Sequence, residues 1–515
     1  MIFETDVLVI GCGIAGCITA LELAEQGFNI TILGSGSYKD SNSYSAQGGI
    51  IYVGKEDSKE LLSKDIFEAG AGLCNPKAVD QLTMFGPKFV KELLVDKYGV
   101  NFDQIDGGFS LAKEAAHSCA RVLHYRDQTG AAIMSALFER IEKNPKITCK
   151  LDHSAVDLIT LSHHSKKLTD LYSPSTCVGA YILNHQTGCV DIFFAKETIL
   201  ATGGLGEVFL HTTNPKEARG DGVAMAFRAG ARIMNMEYVQ FHPTALYVPT
   251  ERRFLISEAL RGEGAELLSN SMSPFMAKYH PLGSLAPRNV VARAMYQEMV
   301  SGSTPHVWLD ISFKDRNWLQ ERFPSIHNHC LSKGFDFTKQ PLPVVPAAHY
   351  SCGGVSTDEK GKTSICRLHA IGEVACTGLH GANRLASTSL SEGLVWGKMC
   401  ADDLSQSLSQ NTYYFPPVEE WVMGNKPVDS ALIQQDWMTI KQTMWNYVGL
   451  QRDGTRLRRA LKMLDELSLQ IKDFYEHATL TPELLGLRNG VQTALLITQG
   501  AYRNKNSLGC HYRIN

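Results

Sequence analysis

The spacing of apolar positions changes along the chain, and the changes mark its parts. Near the start, DVLVI is an unbroken apolar run of strand length. Glycines follow, then ITALELAEQG at helical spacing, and FNITILG resumes a strand, which predicts a β-α-β unit. AKETILATGG (195–204) reads as a second buried strand closing on a glycine pair, and RLHAIGEVACTG (367–378) as a third, with Glu373 at its tip. LSEGLVWGKMCADDLS then reads as a helix. Dinucleotide-type elements thus recur at the start, near 200 and near 370, and the stretch from about 235 to 350 reads as inserted between them. From about 415 onward strand signals fade and helical spacing continues to the end. The expected class is α/β: a Rossmann-like domain over 1–235 and 352–410, an inserted α+β domain over 236–351, and a C-terminal helical bundle over 416–515.

The run VLVIGCGIAGCITALELA has the length of a membrane span. Acidic Glu4 and Asp6 precede it, no basic segment leads it, Glu22 sits inside it and glycines punctuate it. It reads as strand, turn and helix rather than as a span or signal peptide. A chain of 515 residues exceeds a single core, and 44% hydrophobic with 20% charged residues describes a soluble globular protein. A net charge of -3 gives no expectation of nucleic acid. The 13 cysteines are scattered singly, with no C-x-x-C pair and no zinc spacing. They predict reduced thiols in a cytoplasmic protein and no metal.

Candidate chemistry begins at G-x-G-x-x-G, Gly11, Gly13 and Gly16. Gly11 makes the tight turn, Gly13 lets backbone approach a pyrophosphate, and Gly16 lets the helix pack against the strand with its N-terminus at the phosphates. A glycine-rich turn without ligand is the alternative. The acid that usually ends the second strand is missing; Gly34 and Ser35 stand there, which favours a flavin over a nicotinamide. In GDG (220–222), Asp221 is placed to cap the following helix and face a phosphate or ribose. The insertion carries His242, the group Ser257, Glu258 and Arg261, Arg288 after Pro287, and His349; His380 and Arg384 follow. Histidines and arginines set among turn and small residues suit a small dicarboxylate, because arginine pairs with carboxylates bidentately.

Taken together, GCGIAG, SAQGGI, ATGG, VQFHPTAL, EALRGEGA, LAPR, VPAAHYSCGGV and GLHGANRLAS resemble the L-aspartate oxidases, in the flavoprotein family of succinate dehydrogenase and fumarate reductase. The resemblance spans nearly the whole chain. It implies FAD in a two-part flavin domain, a capping domain closing over the substrate, and a C-terminal three-helix domain. It also implies oxidation of L-aspartate to iminoaspartate with hydride passing to flavin N5, reoxidation by oxygen or fumarate, and the first step of NAD biosynthesis through quinolinate, coupled functionally to quinolinate synthase. Asn42 stands where membrane-complex relatives carry a histidine bonded to the flavin, so non-covalent FAD is expected.

The implied cofactor contacts are Gly11, Cys12, Gly13, Ile14, Ala15 and Gly16, then Ser35, then Asn42, Ser43, Tyr44, Ser45, Ala46, Gln47, Gly48 and Gly49. Asp221, Glu373, Ser389 and Leu390 join them, with Ala155 and Val156 near the adenine. Arg288 matches the family's proton donor and acceptor. His242, Ser257, His349 and Arg384 match its carboxylate grip, with Glu258 beside them. Glu114 matches the glutamate that orients the substrate amino group. The chain departs from the family pattern at Ala115-Ala116, at Ser257 for threonine, at STSLS (387–391) and in its short end NSLGCHYRIN, whose packing on the body is left open. A soluble fumarate reductase or succinate dehydrogenase-type flavoprotein, and an FAD-binding protein without catalysis, are the rival readings.

Overall fold

The computed structural model describes residues 1–114 and 116–514. Ala115, half of the Ala115-Ala116 departure, lies outside the described residues. Strand β1 (Ile2–Ile10), helix α1 (Ile14–Glu25) and strand β2 (Ile30–Leu33) form the leading β-α-β unit, and β2 pairs with β3 (Ile147–Lys150), all parallel. Strands β4 (His153–Thr160) and β5 (Cys177–Asn184) form an antiparallel arm leading to β6 (Val190–Leu200), which runs parallel to β1. The strand order is β3-β2-β1-β6-β5-β4. Val7, Leu8 and Val9 are wholly buried because both faces of the sheet are covered, which accounts for the unbroken apolar run.

Helix α1 is buried nearly all round, so its apolar character serves a core and not a bilayer. Among the described residues no helix is long and apolar enough to cross a membrane. Glu22 inside it accepts from the Tyr98 hydroxyl at 2.6 Å and pairs with Lys97 at 2.5 Å and Lys398 at 3.3 Å. Gly11, at φ +119°, and Gly16 set the close approach of α1 to β1: a methyl on Gly16 would lie 2.1 Å from the Gly11 carbonyl oxygen.

After helix α2 (Asp221–Arg228) come β7 (Val239–Leu246), β8 (Phe254–Leu255), α3 (Glu258–Gly262), β9 (Glu266–Leu268), α4 (Arg288–Ser301), β10 (Val307–Asp310) and β11 (Leu342–Ser351). Their strands make a separate antiparallel sheet, β8-β7-β11-β10-β9, with its own apolar core. The pairing of β7 with β11 slips twice. Gln240 faces Tyr350 but Phe241 faces Ala348, which leaves His349 as an extra residue on β11. His242 then faces Ala347 while Ala245 faces Val345, which places the second extra residue at Pro243-Thr244, where proline has no N–H for the ladder. Strand β12 (Leu368–Ala370) returns to the large sheet beside β6, and α5 (Thr388–Gln410) packs on α1.

Three helices, α6 (Ser430–Val448), α7 (Gly454–His477) and α8 (Pro482–Arg503), complete the chain. The short end is tied down. Gly509 O accepts from Asn289 and Arg293 of α4, Cys510 N donates to Ala382 O, and buried Arg452 donates to Glu237 O at 2.7 Å and meets His511 Nδ1 at 2.7 Å.

Gly16→Ala is expected to destabilise the protein by about 1–3 kcal/mol or more, because a packed backbone contact would have to open. Thermal melting of the variant beside the parent checks this; an unchanged midpoint would show that α1 can shift without loss.

Candidate active site

One cavity of about 470 Å³ runs from the β1–α1 turn to the β7–β11 slips. Its wall takes in Gly11, Cys12, Gly13, Ile14 and Ala15, then Ser35, then Asn42, Ser43, Ser45, Ala46, Gln47, Gly48 and Gly49. Ala155, Asp221, Glu373, Ser389 and Leu390 also line it, as do Glu114, His242, Ser257, Glu258, Arg288, His349 and Arg384. Residues far apart in sequence are thus brought to one space.

Three expected contacts are not on the wall. Gly16 lies under α1, where it sets the helix against the strand. Tyr44 turns into the core beside Tyr38, ring centres 5.9 Å apart. Val156 follows Ala155 on β4, points to the opposite face and joins the cluster beneath the sheet. Asp221 does not cap its helix. Gly220, at φ +81°, holds the cap position, and the Asp221 carboxylate accepts instead from Arg219 at 2.9 Å and Asn489 at 2.9 Å. His380 is also off the wall, bonded to Glu392.

The dinucleotide end is built from backbone. Gly13 offers α1 no side-chain cap, so the helix N-terminus keeps N–H groups for an anion, apart from Ile14 N, which donates to Ser43 Oγ at 3.1 Å. Further in, the Asn42 amide donates to Glu373 at 3.1 Å. Burial pushes the Glu373 carboxyl up to about 7, against the hydrogen bonds from Ser351 N and Asn42.

At the other end the charges are ordered. Ser257 caps α3, and Glu258 is its first residue. Glu258 accepts from Arg288 Nε at 2.5 Å through one oxygen and from Arg261 Nη2 at 3.1 Å through the other. Burial raises its pKa, but Arg288 and Arg261 outweigh that and hold the carboxyl below its ordinary value. Pro287 precedes α4, and Arg288 is that helix's first residue. Its Nη1 donates to Gln240 Oε1 at 3.2 Å. Gln240 in turn donates to the Asn383 side chain and the Arg384 carbonyl, both at 2.8 Å.

His242 and His349 face each other with ring centres 5.1 Å apart. Burial, and then nearby guanidinium charge, holds both well below the ordinary histidine range, so both are neutral at pH 7. His242 Nδ1 accepts from Thr244 N, and His349 Nδ1 meets Thr213 Oγ1 at 2.8 Å. Among the described residues neither Nε2 has a protein partner, which leaves that nitrogen for a ligand. Glu114 accepts from Ser387 Oγ at 2.7 Å. Burial and then Glu258 raise its pKa, with Arg288 opposing. A methyl on Gly48 would lie 2.6 Å from Glu114 Oε1, so the glycine pair of SAQGGI makes room for this carboxylate.

Sequence reasoning missed Gln240, Thr213, Tyr350 and Ser387. Gln240 carried a usable signal, since it lies two positions before His242 on one strand and so shares its face. Tyr350 follows His349 directly and Ser387 opens the STSLS stretch, so both lay inside stretches already singled out, whereas Thr213 meets the site only through long-range packing.

The comparisons with known proteins agree with this layout. A family model described as an FAD binding domain matches residues 6–390, and one described as the fumarate reductase flavoprotein C-terminus matches 438–515. The L-aspartate oxidase of Yersinia pestis is 42% identical over 519 residues, covering 99% of this chain and 96% of its own. This chain belongs to the L-aspartate oxidase family. The family's Pseudomonas aeruginosa member is 40% identical, covering 100% of this chain and 96% of its own. A chain of the E. coli quinol fumarate reductase shares the fold, with a TM-score of 0.87 at 26% identity, covering 100% of this chain and 92% of that one.

The family's cofactor is FAD, and the cavity fits it. It is lined by backbone at the helix N-terminus, and Gln47 Oε1, Thr202 Oγ1 and Arg384 Nε are buried on its wall without a partner among the described residues.

Asn42 offers no nucleophile for a bond to the flavin. Acid or heat denaturation is therefore expected to release all of it into the supernatant. Yellow colour retained on the precipitated chain would contradict this.

Proposed function

We propose that the protein is an FAD-dependent enzyme that oxidises L-aspartate to iminoaspartate, the first step of NAD biosynthesis. One observation carries the reading: a buried carboxylate, Glu114, lines the same cavity as Arg384, Arg288 and two neutral histidines. That arrangement suits a ligand with two carboxylates and one ammonium. Relatives named L-aspartate oxidase in bacteria and plants support it.

Bound FAD provides the acceptor for the hydride leaving Cα. His242, Ser257, His349 and Arg384 hold the two carboxylates, and Glu114 holds the ammonium. As the hydride leaves Cα the amino group sheds a proton; Arg288, already protonated, can take that proton only by passing one of its own to Glu258, to which it is bonded and which is bonded in turn to Arg261. Asn42, Ser43, residues 45–49 and residues 389–390 would hold the flavin end without a covalent bond, and Ala155 lies toward the adenine. Residues 1–235 and 352–410 form the FAD-binding domain, 236–351 the cap and 416–515 the helical domain. Oxygen or fumarate reoxidises the enzyme, and the product passes to quinolinate synthase in the cytoplasm. Mixing the holoenzyme with L-aspartate under nitrogen is expected to bleach the flavin. No bleaching with aspartate, together with rapid succinate turnover, would favour the fumarate reductase-type reading instead.

Glu114→Gln removes a charge-assisted hydrogen bond that only aspartate's ammonium uses. Aspartate kcat/KM is expected to fall about 10- to 150-fold, the equivalent of roughly 1.5–3 kcal/mol, and fumarate reduction far less. The ammonium grip needs ionised Glu114. It is complete above the raised pKa and is lost as pH falls through it, so the acid limb of the aspartate profile should disappear in the variant. Equal losses with both substrates would make Glu114 structural.

Arg288→Lys keeps a charge but loses the fork that meets Glu258 and Gln240 together. It should still bind FAD and succinate, while turnover falls by about 10²–10⁴ in both directions. Near-normal turnover would remove Arg288 from the chemistry, and loss of succinate binding would make it a binding residue only.

A further inference from the structure

We propose that Tyr350, anchored by Glu392, is a positioning residue that keeps Arg384 aimed at an incoming carboxylate without neutralising it. The inference rests on the reading that Arg384 grips a substrate carboxylate. An arginine that must bind an anion has to be held still. A protein carboxylate is the common way to hold one, but it would compete with the ligand for the same donors. The structure holds Arg384 differently.

Its guanidinium lies 4.5 Å from the centre of the Tyr350 ring, a cation–π contact. Nη1 donates to Ser389 Oγ at 3.1 Å, and Nε has no protein partner among the described residues. Among the described residues no carboxylate forms an ion pair with it. The ring beneath it is fixed in turn. The Tyr350 hydroxyl donates to Glu392 Oε2 at 2.7 Å, and the same oxygen meets His380 Nε2 at 2.9 Å. Glu392 Oε1 accepts from Thr377 Oγ1 at 2.7 Å. Only 1% of Glu392 and 6% of Tyr350 is exposed.

Three segments meet here: the end of β11, the loop before α5, and the first turn of α5. Ser389 and Glu392 are three residues apart on α5, so they lie on one face of the helix. That face supplies both holds on Arg384, one directly and one through the ring. The carboxylate stands behind the tyrosine, where it fixes the ring and leaves the guanidinium's charge for the ligand. His380, close to Arg384 in the sequence, belongs to this support.

The test uses holoenzymes of Tyr350→Phe, Tyr350→Leu and Glu392→Gln. Succinate is titrated in each while flavin absorbance is followed, and FAD content, melting temperature and the aspartate kcat and KM are measured alongside. Tyr350→Leu removes the ring face and should weaken succinate about 3- to 30-fold, the range of a partly to fully desolvated cation–π contact. KM for aspartate should rise with it, while FAD content holds and kcat stays within about threefold, a split that general loosening would not give. Tyr350→Phe restores the ring and should recover most of the affinity. Glu392→Gln should fall between the two. A Tyr350→Leu enzyme that binds succinate like the parent overturns the proposal. If that variant does not retain FAD, parent-like succinate affinity in both Tyr350→Phe and Glu392→Gln overturns it. Succinate binding needs no turnover: a parent that binds succinate but does not oxidise aspartate sinks the oxidase reading alone, whereas one that binds no succinate sinks the role given to Arg384.

Discussion

Glu258, held between two guanidinium groups, is the interaction on which the rest of the site depends. A carboxylate buried this deeply would ordinarily be pushed toward its neutral form. Two arginines reverse that, and they come from different places: Arg261 from the same short helix, Arg288 from the start of α4. The pairing therefore fixes α3 against α4 as well as setting a charge. Arg288 reaches on to Gln240, Gln240 to the Arg384 carbonyl, and so the inserted sheet is hydrogen-bonded to the loop that enters α5. Removing Glu258 would leave two buried cations facing each other, which is why the triad behaves as a unit and not as two separable pairs.

Much of this was legible in the sequence. Strand runs near the start, 200 and 370 located the parallel part of the large sheet and its split, and the later helical spacing located the final helices, whereas the strands of the inserted sheet were not picked out. Residues in turn-rich motifs, such as His242, Arg288 and His349, do meet in one cavity. What failed was local detail that competing partners decide. Asp221 is an apt capping residue by type, yet Arg219 and Asn489 take its carboxylate and a left-handed glycine takes the cap. Ala155 and Val156 were carried over as a pair, although neighbours on a strand point to opposite faces and only one could line the cavity. The slips that single out His349 and Pro243 were not legible, because register depends on the partner strand. The packing of the short end was equally hidden: its anchors on α4 and on Arg452 are distant in sequence.

The balance of charge explains why so many ionisable groups can share one buried space. Arg288, Arg261 and Arg384 bring three positive charges, Glu258 and ionised Glu114 two negative ones, and the histidines are neutral. These five groups at the substrate end sum to one net positive charge, and L-aspartate, with two carboxylates and one ammonium, carries one net negative charge. A dicarboxylate without an ammonium carries one more negative charge and offers Glu114 no cation. Burial has already raised the Glu114 pKa, which lowers the cost of protonating this residue to match such a ligand. The same carboxylate can therefore favour the amino acid when ionised and tolerate the dicarboxylate when neutral. Ser387 accommodates both states, because its hydroxyl can donate to the carboxylate or accept from the acid.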